Sequence, residues 1–122
     1  DEYSSRLRYI EALDQFGDSF AQRLFTSKEQ QLCDKRSDRA ACLAKRFAAK
    51  EALVKALGTG MRGGIWFRDV EILNDNLGRP VLTVGGAARE RMNTLGPVSI
   101  HLSLSDEGGF ALAFVVLERQ GG

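Results

Sequence analysis

The chain has little of what the simplest site chemistries require. Its 122 residues include one histidine, His101, and two cysteines, Cys33 and Cys42. That supply, without paired Cys/His spacing, excludes the usual zinc sites. Two cysteines also make no disulfide framework of the kind that staples small secreted domains. The net charge is +1, so no global field draws the chain to nucleic acid or to a membrane surface. No apolar run is long enough to span a bilayer and no signal peptide opens the chain, so the expected compartment is the reducing cytoplasm. Neither a P-loop nor a dinucleotide fingerprint is present. A Ser-His-Asp hydrolase is a poor reading, because nothing marks a nucleophile elbow. Repeats and low-complexity segments are missing too. The first residues, Asp1-Glu2-Tyr3, lack a methionine, as in a trimmed or partial chain.

What remains is an ordinary globular composition, 43% apolar and 27% charged, at a length that predicts a single domain over 1–122. Residues 4–16 read as a helix on the spacing of Leu7, Ile10, Leu13 and Phe16. Thr26 and Glu29 form a capping box ahead of a helix reaching about Cys33 or Asp34. Lys35, Arg36 and Arg39 lie in the charged connection that follows and read as a solvated face. A long helix runs from near Asp38 to Gly58, and Gly58-Thr59-Gly60 with Gly63-Gly64 marks a loop. Strands are expected at 65–73 and 80–84, around a turn rich in Asn, Asp, Gly and Pro. A short helix follows over 87–95. Val98 to Ser105 alternates strictly and Phe110 to Leu117 is nearly all apolar, two strands joined at Gly108-Gly109. Helices first, then strands with one helix between them, predict an α+β fold: an antiparallel sheet packed around a long central helix.

That central helix carries the chemistry. It is apolar on nearly every side, as buried helices are, yet it holds Lys45, Arg46, Lys50, Glu51 and Lys55. At about 100° per residue, Lys50 falls inside the stripe of Leu43, Phe47, Val54 and Leu57. Glu51 and Lys55 share a neighbouring stripe with Ala44 and Ala48. On an exposed helix, Glu51 and Lys55 would be an i,i+4 pair worth ~0.2–0.5 kcal/mol. Lys50 alone would be a lysine whose stem packs and whose head reaches water. Taken together, Lys45, Arg46, Lys50 and Lys55 around Glu51 point to a polyphosphate ligand. Glu51 with Lys55 suits a metal-assisted site, a carboxylate for a hard cation and an ammonium for developing anionic charge.

Several segments match one family in order. Arg46-Phe47-Ala48-Ala49-Lys50-Glu51-Ala52, running to Gly58-Thr59-Gly60, resembles the signature of the bacterial holo-acyl-carrier-protein synthases, the short 4′-phosphopantetheinyl transferases. Phe25-Thr26-Ser27-Lys28-Glu29 is similar to their F-T-x-x-E box. Asp69-Val70-Glu71-Ile72 with Gly78-Arg79-Pro80 is similar to their strand-turn-strand. Ile100 to Glu107 and Ala111 to Glu118 resemble their C-terminal hairpin. Most of 6–118 is covered.

The resemblance implies a reaction: transfer of the 4′-phosphopantetheine arm of coenzyme A to a serine of apo acyl carrier protein, magnesium-dependent, in fatty acid biosynthesis. It implies a homotrimer with sites between subunits, and no nucleic-acid or membrane partner. On this chain it assigns Glu51 as a magnesium ligand and, with Lys55, as catalytic. Lys45, Arg46 and Lys50 would hold coenzyme A phosphates. Gly58, Gly78, Arg79, Pro80, Ser103 and Ser105 would line the nucleotide, and Arg6 or Arg8 would meet the acidic carrier protein. The family opens with a strand whose aspartate is the second metal ligand. Here that strand reads as missing, and Asp1 is the candidate for the aspartate. Many members have histidine where this chain has Asp106. A catalytically inactive coenzyme A or carrier-protein binding module of the same fold is the alternative reading.

Overall fold

The computed structural model describes residues 2–8, as backbone, together with 22–58 and 67–119. Strand β1 is Glu2–Arg8, helix α1 Ser27–Asp34 and helix α2 Arg39–Leu57. After a 3₁₀ turn at Phe67–Asp69 come β2 Val70–Asn74, β3 Pro80–Val84, helix α3 Gly86–Thr94, β4 Val98–Glu107 and β5 Phe110–Arg119. One antiparallel sheet has the order β1-β5-β4; β2 and β3 form a separate antiparallel pair. Among the described residues no helix is long and apolar enough to cross a membrane.

The ends of α2 follow from their caps. The Asp38 side chain accepts from Ala41 N, and Gly58 closes the helix at φ 78°, a left-handed conformation that glycine adopts without a Cβ penalty. Arg91 of α3 donates to Leu57 O at 2.8 Å and so covers an end carbonyl. Between its caps α2 is buried on both flanks. Ala48, Ala49, Ala52, Leu53, Val54 and Leu57 pack in one cluster with Val70, Ile72, Met92, Ala113 and Val115. Leu43, Ala44 and Cys42 pack in a second with Leu24, Phe25, Cys33 and Ala111. The helix is therefore apolar all round because it is surrounded, which is the condition its composition implied.

Glu29 is the least expected part of the core, since it has no exposed surface. It sits at the third position of α1, and the capping box read from the sequence forms: Glu29 N donates to Thr26 Oγ1 and Thr26 N to Glu29 Oε1. The same carboxylate accepts from Ile72 N of β2 at 2.9 Å and from Lys50 Nζ of α2 at 2.6 Å. Lys50, equally buried, also donates to Leu24 O at 2.8 Å and lies 5.1 Å from the centre of the Phe25 ring. One carboxylate thus ties α1, α2 and β2 together. Burial holds the Lys50 ammonium below its ordinary pKa, with the charge and hydrogen bond of Glu29 opposing.

One expected element changes type. Residues 4–8 read as the start of a helix, but Glu2–Arg8 is a strand paired antiparallel to β5, Tyr3 opposite Val115 and Leu7 opposite Ala111. The reason is tertiary. β5 is apolar on both faces and needs a partner on each edge, and β4 supplies only one. The helical spacing at Ile10, Leu13 and Phe16 falls outside the described residues. β1 also occupies the start of the chain, where the opening strand read as missing.

Replacing Lys50 with methionine leaves a buried carboxylate without its cation and should cost about 3–5 kcal/mol, the usual penalty for removing one partner of a buried pair. Urea unfolding of Lys50→Met against wild type measures it. The sign with pH also follows. Because the native pKa of Lys50 is lowered, the unfolded chain binds the extra proton between that value and 10.5. The stability margin of wild type over Lys50→Met therefore grows as pH rises through that window.

Candidate active site

Lys45 leaves the first half of α2 toward solvent and meets Asp106 near the end of β4, Nζ to Oδ1 at 3.3 Å. Both line a cavity of about 360 Å³. Cys42 and Arg46 of α2, Asn74, Gly78 and Pro80 of the β2–β3 hairpin, and Arg36 and Asp38 of the α1–α2 connection also line it. Three cations and two carboxylates, Asp38 and Asp106, therefore meet at one pocket. The balance is one positive charge, which favours an anionic ligand, and phosphate is the common one.

The pocket's shape rests on a chain of hydrogen bonds that begins at Arg46, which is 3% exposed. Its Nε donates to Ile72 O at 2.9 Å and its Nη2 to Asn74 Oδ1 at 2.7 Å. Nη1 donates to Cys42 O and Sγ. Asn74 Nδ2 passes the constraint on, donating to Gly78 O at 3.0 Å. Asp75 closes the turn: its Oδ1 accepts from Leu77 N and Arg79 N, both at 2.9 Å. Those backbone donors hold its carboxyl below the usual range. Gly78 sits at φ 82° with open space around it, so a side chain there meets backbone strain rather than a clash.

The expected site residues separate into groups. Lys45, Arg46, Gly78 and Pro80 come together at the pocket. Arg79 is exposed beside them, its Nε 3.2 Å from Asp75 Oδ2. Lys50 does not reach it: with no exposed surface and a salt bridge to Glu29, its head belongs to the core, not to a ligand. Arg46 lines the pocket, but its named bonds are those of a brace. Glu51, half-buried, and Lys55, exposed, share a face of α2 farther on, about 9 Å beyond Lys45 at 1.5 Å per residue in the case of Glu51. Gly58 lies at the helix end, about 20 Å from Lys45 by the same rise. Ser103 and Ser105 are exposed and pair with Phe114 and Leu112. Alternation puts them on the sheet face opposite Leu104 and Asp106, so one chain does not bring them to the pocket. His101 is peripheral, its Nε2 3.8 Å from Glu118. Asp1 lies outside the described residues, among which no group of three metal-ligating side chains is found.

A family model for the 4′-phosphopantetheinyl transferase superfamily matches residues 6–115. The chain belongs to that superfamily. A curated relative from Magnetococcus marinus, named holo-[acyl-carrier-protein] synthase, is 54% identical over 106 residues, 84% of this chain and 77% of that protein. Among solved structures, the holo-[acyl-carrier-protein] synthase of Neisseria meningitidis superposes with a TM-score of 0.86 at 37% identity, covering 97% of each chain. That of Bacillus anthracis, solved in complex with CoA (3′,5′-ADP), gives 0.80 at 32% identity, covering 98% of this chain and 96% of that one. The α+β arrangement is thus that of the phosphopantetheinyl transferases.

Sequence reasoning missed Glu29 as a core charge and Asp106 as the partner of Lys45, while the turn it read from Asn74 and Asp75 is the one their side chains hold. Glu29 had a signal: a lysine inside an apolar stripe is consistent with a buried carboxylate partner, and Glu29 is the acid that the capping box fixes at the start of α1. The cysteine reading also changes, since Cys33 and Cys42 are disulfide-bonded in this structure. Cys33 lies in the last turn of α1 and Cys42 in the first turn of α2, so the tight α1–α2 connection brings them together.

Lys45→Ala should weaken adenosine 3′,5′-bisphosphate binding about tenfold, since a hydrogen bond to a charged group contributes roughly 1.5–3 kcal/mol. Calorimetric titration checks this. Unchanged affinity would remove Lys45 from the ligand site.

Proposed function

We propose that this chain transfers the 4′-phosphopantetheine group of coenzyme A to a serine hydroxyl of apo acyl carrier protein, in fatty acid biosynthesis. The observation that carries the reading is the cationic pocket between α2 and the β2–β3 hairpin, in a chain of this superfamily. Relatives named holo-[acyl-carrier-protein] synthase, one solved with CoA, support the substrate.

In this reading Lys45 binds the nucleotide phosphates, and Gly78 and Pro80 border the nucleotide. Arg46 and Lys50 act from behind: Arg46 holds the hairpin against α2, and Lys50 fixes the helix on α1. Lys55, exposed one turn beyond Glu51, is placed along α2 to meet the charge that develops on the transferred phosphoryl group. The serine oxygen attacks the β-phosphorus, the bond to the oxygen bridging the α-phosphate breaks, and adenosine 3′,5′-bisphosphate leaves. The serine proton passes to Glu51 or to solvent water, and the adenosine 3′,5′-bisphosphate carries away the negative charge of the broken bond. Glu51 offers the hard oxygen donor that magnesium takes, an ion bound through one or two carboxylates plus substrate phosphates; Asp1 is the proposed second carboxylate. When bound, the metal neutralises pyrophosphate charge.

Assembly as a homotrimer fits the outer face of the main sheet, where Phe114 is exposed between Leu112 and Val116. Ser103 and Ser105 share that face, so a site formed between copies is the arrangement that would recruit them. We place the protein in the cytoplasm. The rival reading of an inactive binding module leaned on a missing first strand and its aspartate; β1 supplies the strand at Glu2–Arg8 but contains no aspartate, so the two readings divide on Asp1.

Mass spectrometry of apo carrier protein incubated with coenzyme A, Mg²⁺ and this protein should show the added phosphopantetheine mass. Glu51→Ala should abolish that gain while circular dichroism stays native. Absence of transfer by wild type that still binds coenzyme A would favour the binding module instead.

A further inference from the structure

The disulfide between Cys33 and Cys42 sits in the wall of the pocket. Its Cα atoms are 5.4 Å apart, and it closes a loop across a sequence separation of 9. Inside that loop lie Arg36, Ser37 and Asp38, all pocket-lining and exposed. Asp38 is pinned to α2 by its cap, accepting from Ala41 N and Cys42 N, and the other hydrogen bonds of the loop are short-range: Lys35 N to Leu32 O, Arg36 N to Cys33 O, and Arg39 Nε to Asp34 Oδ1. The covalent tie therefore does much to set where Arg36 stands. Arg36 is near enough to Arg46 for its charge to be felt there.

Both cysteines are buried, Cys33 with no exposed surface and Cys42 at 5%, and Cys42 alone of the two lines the pocket. Arg46 Nη1 lies 3.3 Å from Cys42 Sγ. A guanidinium beside a cysteine sulfur stabilises the thiolate, the feature that marks exchangeable cysteines rather than inert ones. A bond reached from a ligand pocket and flanked by a fixed cation is placed to open and close. In reducing compartments the disulfides that do form are mostly of this transient, sensing kind.

We propose that Cys33–Cys42 is a thiol-responsive staple on the nucleotide pocket. Closed, it holds residues 35–37 as a wall that presents Arg36 to the ligand phosphates. Opened, it frees that wall and weakens coenzyme A binding while leaving the catalytic face of α2 intact. The proposal rests on the reading of this pocket as the nucleotide site. The opening step is ordinary exchange with a small thiol of the glutathione class. A thiolate entering the pocket attacks Cys42 Sγ, the Cys33–Cys42 bond breaks, and Cys33 leaves as a thiolate and is protonated. A second thiolate then attacks the small-molecule sulfur of the Cys42 mixed disulfide, and Cys42 leaves as a thiolate, the step that Arg46 Nη1 beside its Sγ favours. The balance is one protein disulfide and two thiols giving one protein dithiol and one small-molecule disulfide.

Coenzyme A is itself a thiol, so the binding probe is adenosine 3′,5′-bisphosphate. Its affinity is measured for air-oxidised and dithiothreitol-reduced wild type, with free thiols counted in each. If the freed wall is in place only ~10–20% of the time, affinity falls about five- to tenfold on reduction. The Cys33→Ala/Cys42→Ala double variant should bind like reduced wild type and ignore dithiothreitol. In the transfer assay, KM for coenzyme A should rise with kcat unchanged, a split that a merely structural bond would not produce. Equal affinity in the two verified redox states overturns the staple and leaves the nucleotide site standing. Two free thiols before any reductant, or loss of the helical signal on reduction, also overturns it. Binding in neither state overturns the nucleotide reading and the staple together.

Discussion

A carboxylate with no exposed surface joins three parts of the chain that are distant in sequence: the Thr26 cap of α1, Lys50 in the middle of α2, and the Ile72 amide of β2. Taking Glu29 and Lys50 out of water costs several kcal/mol per ion. Short hydrogen bonds on both carboxylate oxygens and a carbonyl under the ammonium offset that cost. Register follows, because a buried ion pair with fixed partners is satisfied in one helix rotation and at one strand position. Thr26 extends the same network outward, its Oγ1 donating to Glu71 at 2.7 Å. Any slip of α2 against α1 would strand a charge in an apolar cluster, which no packing adjustment could compensate.

With α2 fixed in that way, its charges have separate tasks. Lys50 and Arg46 face inward and brace, one toward α1 and the other toward β2 and the hairpin. Lys45 faces the pocket with Asp106, while Glu51 and Lys55 occupy the next turns. The pocket is thus built on a rigid helix and on a turn that Asn74 and Asp75 hold in shape. Sites supported in this manner keep their geometry without the ligand, which lowers the ordering cost of binding. Asp106 gives Lys45 a resting partner, which in the proposed function a ligand phosphate would replace.

Much of this was legible before any coordinates. The α1 capping box, the α2 limits at Asp38 and Gly58, and the β3 start at Pro80 all carry local chemistry that the structure repeats. The glycine pair at the β4–β5 turn does too, with φ 58° at Gly108 and 80° at Gly109. The first strand was not legible, because Leu7 begins a helical spacing and only the open edge of β5 decides otherwise. The direction of each basic side chain was not legible either. Periodicity set Lys50 on the apolar stripe, but a lysine there reads equally as a buried ion or as a ligand group until its carboxylate is located. The cysteines fail for the same reason: nine residues of separation say nothing about pairing until two helices fold against each other.

The central claim is that the basic residues of α2 are divided, Lys45 serving the ligand and Lys50 serving the fold. A crystal structure of the protein with adenosine 3′,5′-bisphosphate tests it most directly. The account predicts a phosphate within hydrogen-bond distance of Lys45 Nζ in the pocket beside Gly78 and Pro80, with Lys50 Nζ still on Glu29. A phosphate bound by Lys50, or seated away from this pocket, would contradict it.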